Sequence, residues 1–493
     1  MFKAISLNDL DKLLDISVHV NSRAHAEKAY IENHKMNFEV TVKHHALKHL
    51  SAFRSAIALK DVQVKPYDIS PLFDQRLLCI DKHLTAASSA HLEAFFSKIA
   101  ELGFNSVMFG KYEQMEDLDQ YVTLLNKVIQ QGNKWEIRVY ADISWINSTN
   151  ITKLEALENC VGLYGVMYAP RFWHSFNKNS TSKHLTSEGV YFALNILRKH
   201  LSEKLQLIFA LQPKLAHQAQ FHAQAFEELI GNLPINTKFA FTSHCGFIDK
   251  PQPSPHPVWQ KLNYLSSNYQ DIAIMFNPGL IGLGEGLWPL LQPNAYDWMI
   301  SAASRHKFST VIAWIPRLPT GPGFLDLNIW SFGHRLWSGS SLWELQQAWL
   351  KLHHKDWDVS GYFFEHLQHL ANHLMGIYHY GCEGGVPDTE DRLNACFKTI
   401  ESLKHRIQAE VKSTQLEKYA LFFLRDMKKF AIFVAQQNHL SHPAPDDEDV
   451  EFSFWSTATG TLPTSKITIH KQPVATSEHF EVTQILQDNG YIF

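Results

Sequence analysis

Eight short apolar runs, each ending in polar residues and each after the first led by a helical stretch, constrain this chain more than any other feature. They are Leu77–Asp81, Ser106–Gly110, Ile137–Asp142, Leu163–Tyr168, Leu207–Leu211, Lys238–Ser243, Ile272–Asn277 and Thr310–Trp314. Runs this short suit buried strands better than helices. Their alternation with amphipathic helices predicts an α/β fold, a (β/α)8 TIM barrel. Such barrels gather their chemistry in the loops after the strands' C-terminal ends. The search for function therefore narrows to about eight loops.

The intervening helices carry their own stop signals. Ala86–Leu102 is amphipathic and ends at Gly103, and Leu118–Gln131 is expected to end at Gly132. Ser187–Leu201 and His217–Ile230 repeat the pattern, the second ahead of Gly231. From Ser341 the chain reads as helix only. Ser341 with Glu344, and Thr414 with Glu417, form capping-box pairs ahead of long apolar-periodic segments. Before the barrel, LNDLDKLLDI and HALKHLSAFRSAI have helical spacing, while MNFEVTVK alternates like a strand. The expected organisation is an N-terminal α/β segment (1–75), the barrel (76–340), a helical C-terminal domain (341–440) and an acidic linker with a tail (441–493).

Bulk properties remove several function classes. A net charge of −4 offers no basic field for nucleic acid. The five cysteines are scattered, which fits a reducing compartment better than a disulfide framework. The first residues lack the apolar core of a signal peptide, and no apolar run approaches the ~18 residues of a membrane span. Together these predict a cytoplasmic protein with neither a nucleic-acid nor a membrane partner. The 28 histidines and 12% aromatics suit a sugar cleft, and equally ordinary core and surface positions.

Acids, bases and aromatics cluster where the strands end. In order they are Asp81, Lys82 and His83; Lys111, Tyr112 and Glu113; Asp142 and Trp145; Tyr168, Arg171, Trp173 and His174; Gln212 and Lys214; Ser243, His244 and Asp249; Asn277 and Glu285; Trp314 and Arg317. Hydrolysis of a glycosidic bond needs a proton donor and a carboxylate base or nucleophile on opposite sides of that bond. Asp249, Glu285, Asp142 and Glu113 are the catalytic candidates, and Asp81 is a fifth acid at the mouth. The tryptophans are candidate stacking platforms, and His174, His244 and Arg171 candidate donors to hydroxyls. Each acid could equally cap the next helix, and each tryptophan could be core.

Three other motifs are set aside. GLIGLGEGLWP lacks the Lys-Ser/Thr ending of a phosphate-binding loop and reads instead as a glycine-hinged lid carrying Glu285. His366, His369 and His373 have helical spacing without the acid of a metalloprotease helix, so neither metal nor other cofactor is expected. His244 and Cys245 are adjacent and would point to opposite faces of an extended segment, which does not make a nucleophile–base pair.

Several segments resemble the xylan α-glucuronidases of glycoside hydrolase family 67. They are AELGFNSVMFGKY, EIRVYADIS, GVYFALNILRKH with LQLIFALQP, and AFEELIGNLPINTKFAFTSHCGFIDKPQPSPHPVW. Past the barrel, LNIWSFGHRLWSGSSLWELQQAWL and DRLNACFKTIESLKHRI with STQLEKYALFFLRDMKKFA continue the likeness, which spans roughly residues 76–435. The resemblance implies an inverting glycoside hydrolase on a barrel with a helical C-terminal domain. It places the family's sixth-strand aspartate on Asp249. The family's fourth-strand proton donor would fall near Pro170 or Arg171, and its seventh-strand glutamate near Asn277 or Pro278; neither acid is present. The basic residues that hold the uronate would fall near Met167, Leu211 and Ser243, and are also missing. The expectation is a glycoside hydrolase-like barrel acting on carbohydrate through a rebuilt site. The alternative is a non-catalytic carbohydrate-binding or scaffold protein on the same barrel.

Overall fold

The computed structural model describes residues 15–20, 27–32, 35–40, 67–69, 71–80, 89–109, 118–146, 150–169, 187–211, 228–242, 272–276, 280–283, 286–289, 293–315, 324–337, 340–353 and 389–410, with single positions between 366 and 374 and between 421 and 443. Its first element is a sheet of β1 (Asp15–Val20), β2 (Glu27–Glu32), β3 (Lys35–Val40) and β4 (Tyr67–Ile69), in the order β1-β3-β2-β4. β1 runs parallel to β3, and the other pairs are antiparallel. The strand expected over MNFEVTVK is thus β3. The helix expected over LNDLDKLLDI does not reach its end, because Asp15 and Ile16 open β1. The alternating Val18, His19 and Val20 favour a strand there. The rest of that segment, and HALKHLSAFRSAI, lie outside the described residues.

All eight apolar runs are strands of one closed barrel. They are β5 (Gln75–Ile80), β6 (Ser106–Phe109), β7 (Arg138–Asp142), β8 (Gly165–Tyr168), β9 (Gln206–Leu211), β10 (Thr237–Thr242), β11 (Ile272–Phe276) and β14 (Thr310–Ile315). Every pair is parallel, and β14 closes on β5 from Thr310 beside Gln75 to Ile315 beside Ile80. The helices α1 (Ser89–Glu101), α2 (Leu118–Lys134), α3 (Ser187–Lys199), α4 (Pro293–Arg305) and α5 (Phe324–Arg335) lie between or after them. A 3-10 helix, Ile151–Asn159, takes the place of an α-helix between β7 and β8.

Strand alternation splits the core in two. One face of each strand joins the helices in a large outer cluster that includes Phe96, Val107, Leu125, Val139, Phe209 and Phe239. The other face fills the lumen with Leu77, Cys79, Met108, Tyr140, Met167, Ile208, Ala210, Ala240, Ala273, Met275 and Ile312. Both faces are dry, which is why these strands read as continuous apolar runs rather than alternating ones.

Two of the expected stops are different devices. Gly103 does adopt a left-handed conformation (φ 81°) after α1. Gly132, in contrast, lies inside α2, where a Cβ would come within 2.7 Å of Val139 Cγ2 and 2.9 Å of the Ile137 carbonyl. It is there for close approach of helix to strand, and the left-handed residue before β7 is Glu136 (φ 55°). Gly231 is likewise helical, and the left-handed turn before β10 falls on Asn236 (φ 53°).

After the barrel come α6 (Leu342–His353) and α7 (Thr389–Glu410). The capping box at Ser341 is formed in both directions. Glu344 Oε2 accepts from Ser341 N (2.7 Å), and Ser341 Oγ accepts from Glu344 N (3.2 Å). Asp297 of α4 accepts a further N–H of that helix start, from Leu342 (2.9 Å), and pairs with Arg335 (2.6 Å). Asp326 ties α5 to α6 by accepting from Trp349 Nε1 (2.8 Å) and to α1 through Lys98 (3.0 Å). Burial opposes the Lys98 charge, but Asp326 and Glu101 outweigh it and raise the lysine above its ordinary value. The pair Thr414 and Glu417 lies outside the described residues. Among the described residues no helix is long and apolar enough to cross a membrane.

Candidate functional site

The inward side chains divide the barrel axis into two unlike ends. At the N-terminal end of the strands, polar groups form a bonded chain. Tyr140 Oη accepts from Gln75 Nε2 (2.5 Å) and donates to Gln206 Oε1 (2.6 Å). Thr310 Oγ1 donates to Gln75 Oε1 (3.1 Å) and lies 3.3 Å from Ser309 Oγ, which accepts from Lys238 Nζ (2.6 Å). Burial, more than any neighbour, pushes the Tyr140 phenol well above its ordinary value, so it stays a donor. This end is a satisfied floor.

The C-terminal end is the mouth. Among the described residues its inward side chains are Cys79, Met167, Ala169, Ala210, Met275 and Trp314, and strand alternation from Tyr140 puts one acid, Asp142, on the same side. Asp142 ends β7 beside Met167 of β8 and is almost fully buried. Its Oδ1 accepts from Ser144 N (3.0 Å) and Ser144 Oγ (2.5 Å). Ser144 Oγ in turn accepts from Ala169 N (2.9 Å), just past β8. Aspartate followed two residues later by serine is a recurrent turn pattern, and here it joins the tops of two strands. Across the strand, the phenol of Tyr121 of α2 is raised well above its ordinary value by burial and, next, by the neighbouring Asp142.

Of the candidate catalytic and binding residues expected at the mouth, three are described. Asp142 and Trp314 are brought to the lumen, on strands three places apart around the barrel. Trp314 is half-buried against the lumen cluster. Trp145 is placed differently: its Nε1 donates to the Asp142 carbonyl (3.0 Å), and its ring packs against the outer core. It supports the turn rather than offering an inward platform. Asp81, Glu113, Arg171, Trp173, His174, His244, Asp249, Asn277, Glu285 and Arg317 lie outside the described residues. Of the acids expected to supply the opposed pair that hydrolysis needs, Asp142 is the one among the described residues.

The glycine-rich segment after β11, read from the sequence as a glycine-hinged lid, contains two paired strands. Strands β12 (Leu280–Leu283) and β13 (Gly286–Pro289) pair antiparallel, and β13 touches α5. Residues 284 and 285 join them, which puts Glu285 in sequence at the hairpin's connection. Ser144 and the small and sulfur-bearing lumen residues are the part of the site that sequence reasoning missed. The signal for Ser144 was the spacing Asp-Ile-Ser at a strand end. Among the described residues no group of three or more histidine, cysteine or acidic side chains could hold a metal ion, His366, His369 and His373 included.

A closed parallel barrel with its helices defines a (β/α)8 protein with a candidate site at the C-terminal mouth. No protein-family model matches the chain, and no curated protein does. Among solved structures it is similar to a GH138 enzyme targeting pectin rhamnogalacturonan II, with a TM-score of 0.54 at 10% identity over 86% of this chain. The chain covers 66% of that enzyme's length. CpGH84B gives a TM-score of 0.45 at 10% identity, over 94% of this chain and 82% of that one. At 10% identity the likeness to the GH138 enzyme is one of fold alone. The specific likeness to xylan α-glucuronidases finds no support among these comparisons.

Proposed function

We propose that this protein is a glycoside hydrolase acting at the mouth of its barrel. The observation that carries the reading is a buried, hydrogen-bonded carboxylate, Asp142, facing the same lumen as a half-buried indole, Trp314, at the C-terminal end of the strands. Sugar rings offer both an apolar face for an indole and hydroxyl donors for a carboxylate. The fold likeness to an enzyme that targets the pectin rhamnogalacturonan II favours the same reading.

In this reading Asp249, which follows β10 in the chain, serves as base. Glu285 on the hairpin connection is the first choice for proton donor, and Glu113 is the next. Asp142, with Oδ1 already accepting two hydrogen bonds, is poorly suited to donate a proton. The uronate specificity of the xylan α-glucuronidases is not part of the proposal, since residues that would hold the uronate are replaced. A screen of aryl glycosides of common sugars tests it. Turnover that vanishes in Asp249→Asn while binding persists supports the reading. Sugar binding without turnover on any glycoside would favour the non-catalytic alternative.

A further inference from the structure

The turn after β7 reaches across to the neighbouring strand, and its meaning for function rests on the carbohydrate reading above. The last register pair of β7 and β8 is Asp142 beside Met167, and Ile143 N donates to the Met167 carbonyl at 2.9 Å. The chain then turns tightly, with Ile146 N donating to the Ile143 carbonyl (3.0 Å) and Trp145 Nε1 to the Asp142 carbonyl (3.0 Å). Ala169, the first residue after β8, lies beyond that last pair and is almost fully buried. Its N–H donates to Ser144 Oγ at 2.9 Å, in place of a main-chain partner on β7. The same hydroxyl donates to Asp142 Oδ1 at 2.5 Å. We propose that Ser144 is a positioning residue for the loop after β8. It fixes the point from which the segment carrying Arg171, Trp173 and His174 starts, and through that segment it acts on sugar binding.

The chemistry of a hydroxyl suits this task. Serine has one hydrogen to give and lone pairs to receive with. Asp142 Oδ1 takes the hydrogen, which orients a lone pair to the Ala169 N–H, and two bonds in series strengthen each other. Asp142 Oδ1 also accepts from Ser144 N (3.0 Å), so the serine is held at both its main chain and its side chain. Threonine could make the same bonds through its hydroxyl, whereas alanine keeps only the main-chain one. Pro170 follows Ala169, and a residue before proline is biased to extended backbone. Ala169 is thus fixed at its N–H by Ser144 and in its dihedrals by Pro170. Arg171 comes directly after them in the chain. A misplacement of about 1 Å in a substrate-holding group is enough to weaken a site severely.

Ser144→Ala and Ser144→Thr in the full chain test this. Hydrogen–deuterium exchange resolved to single amides reads the brace without a ligand, because Pro170 has no amide hydrogen and separates the Ala169 signal from that of Arg171. Exchange at Ala169 is expected to rise at least ~10-fold in Ser144→Ala and to return to within ~2-fold of the original in Ser144→Thr. The Gln75 amide, bonded to the Ser309 carbonyl at the far end of the barrel, should keep its rate in both. KM and kcat are then measured on the para-nitrophenyl glycosides of D-glucose, D-galactose, D-xylose and L-arabinose that the unaltered protein turns over. Ser144→Ala should raise KM at least ~5-fold with kcat within ~2-fold, and Ser144→Thr should restore it. Unmoved exchange at Ala169 in Ser144→Ala overturns the inference, and so does a KM that holds while exchange rises. Silence of the unaltered protein on every glycoside counts against the proposed function, and the exchange rates then decide whether Ser144 fixes the loop. Should Ser144→Ala fail to fold, Ser144→Cys, a weak acceptor of similar size, takes its place. Exchange at Ala169 is then expected to rise at least ~3-fold, and an unchanged rate overturns the inference.

Discussion

The two ends of one lumen are built to opposite specifications. At the floor, Gln75, Tyr140, Gln206 and Thr310 exchange hydrogen bonds in series, with Ser309 and Lys238 extending the series. Polar groups from five strands, and from the residue preceding one of them, are thereby satisfied within the barrel. At the mouth, Asp142 is held by a local turn, and its described inward neighbours are apolar. The floor turns its polar groups on one another, which suits a structural role. The mouth carries a carboxylate, held by Ser144, and a half-buried indole on the same lumen. The difference fits the division general to such barrels, with stability built at one end and chemistry expected at the other on the same eight strands.

Substitutions at either end can break that division. The largest effect is expected at the mouth: Asp249→Asn should lower turnover by about 10²–10⁴-fold on a substrate found by screening, with the urea midpoint unchanged. Full retained activity would remove Asp249 from the site. At the floor, Gly165→Ala should cost stability instead. An added Cβ would sit 2.4 Å from the Gln206 carbonyl and 2.6 Å from the Tyr140 ring, contacts that shift backbone as well as side chains. A loss of about 3 kcal/mol in urea unfolding is expected from such overpacking. Tyr140→Phe removes the hydroxyl shared by Gln75 and Gln206 and should cost about 2 kcal/mol by leaving buried amide groups short of a partner. Sugar binding should be unmoved by that change, and a lost ligand would mean that the two ends are coupled. Ser144→Ala is the mildest, at about 1 kcal/mol for the bridging hydroxyl. Unlike the floor variants, it should also weaken sugar binding, measured by saturation-transfer NMR with the sugar of a substrate found by screening.

Much of the barrel was legible in the sequence and much of the site was not, for distinct physical reasons. Strands buried on both faces leave continuous apolar runs, and each run marks a strand to within about two residues. The hairpin β12–β13 was hidden because glycines at 282, 284 and 286 mask a strand whose pairing is made by main chain. Gly132 looked like a helix stop because a glycine placed for tight packing and one placed for a left-handed turn are the same letter. The floor had no signal at all. Gln75 and Thr310 are 235 residues apart, and nothing local marks either as a partner. Asp142 and Trp314 were legible as mouth residues because strand ends locate them. Trp145 was misjudged as a platform, since a tryptophan just past a strand end can equally turn back and donate its N–H to main chain.

The seam between β14 and β5 sets a timetable for the chain's birth. The six register pairs from Gln75 with Thr310 to Ile80 with Ile315 join the first barrel strand to the last. During synthesis from the N-terminus, β5 emerges early and must wait for well over two hundred residues of translation before its second neighbour exists. Through that interval one edge of a wholly buried strand lies open to other nascent chains. Contacts this distant in sequence also make folding slow once the ribosome lets go. A fragment ending before Thr310 would keep both β5 and β11 as bare edges, and a cell making this protein would have reason to shield the incomplete barrel until its last strand arrives.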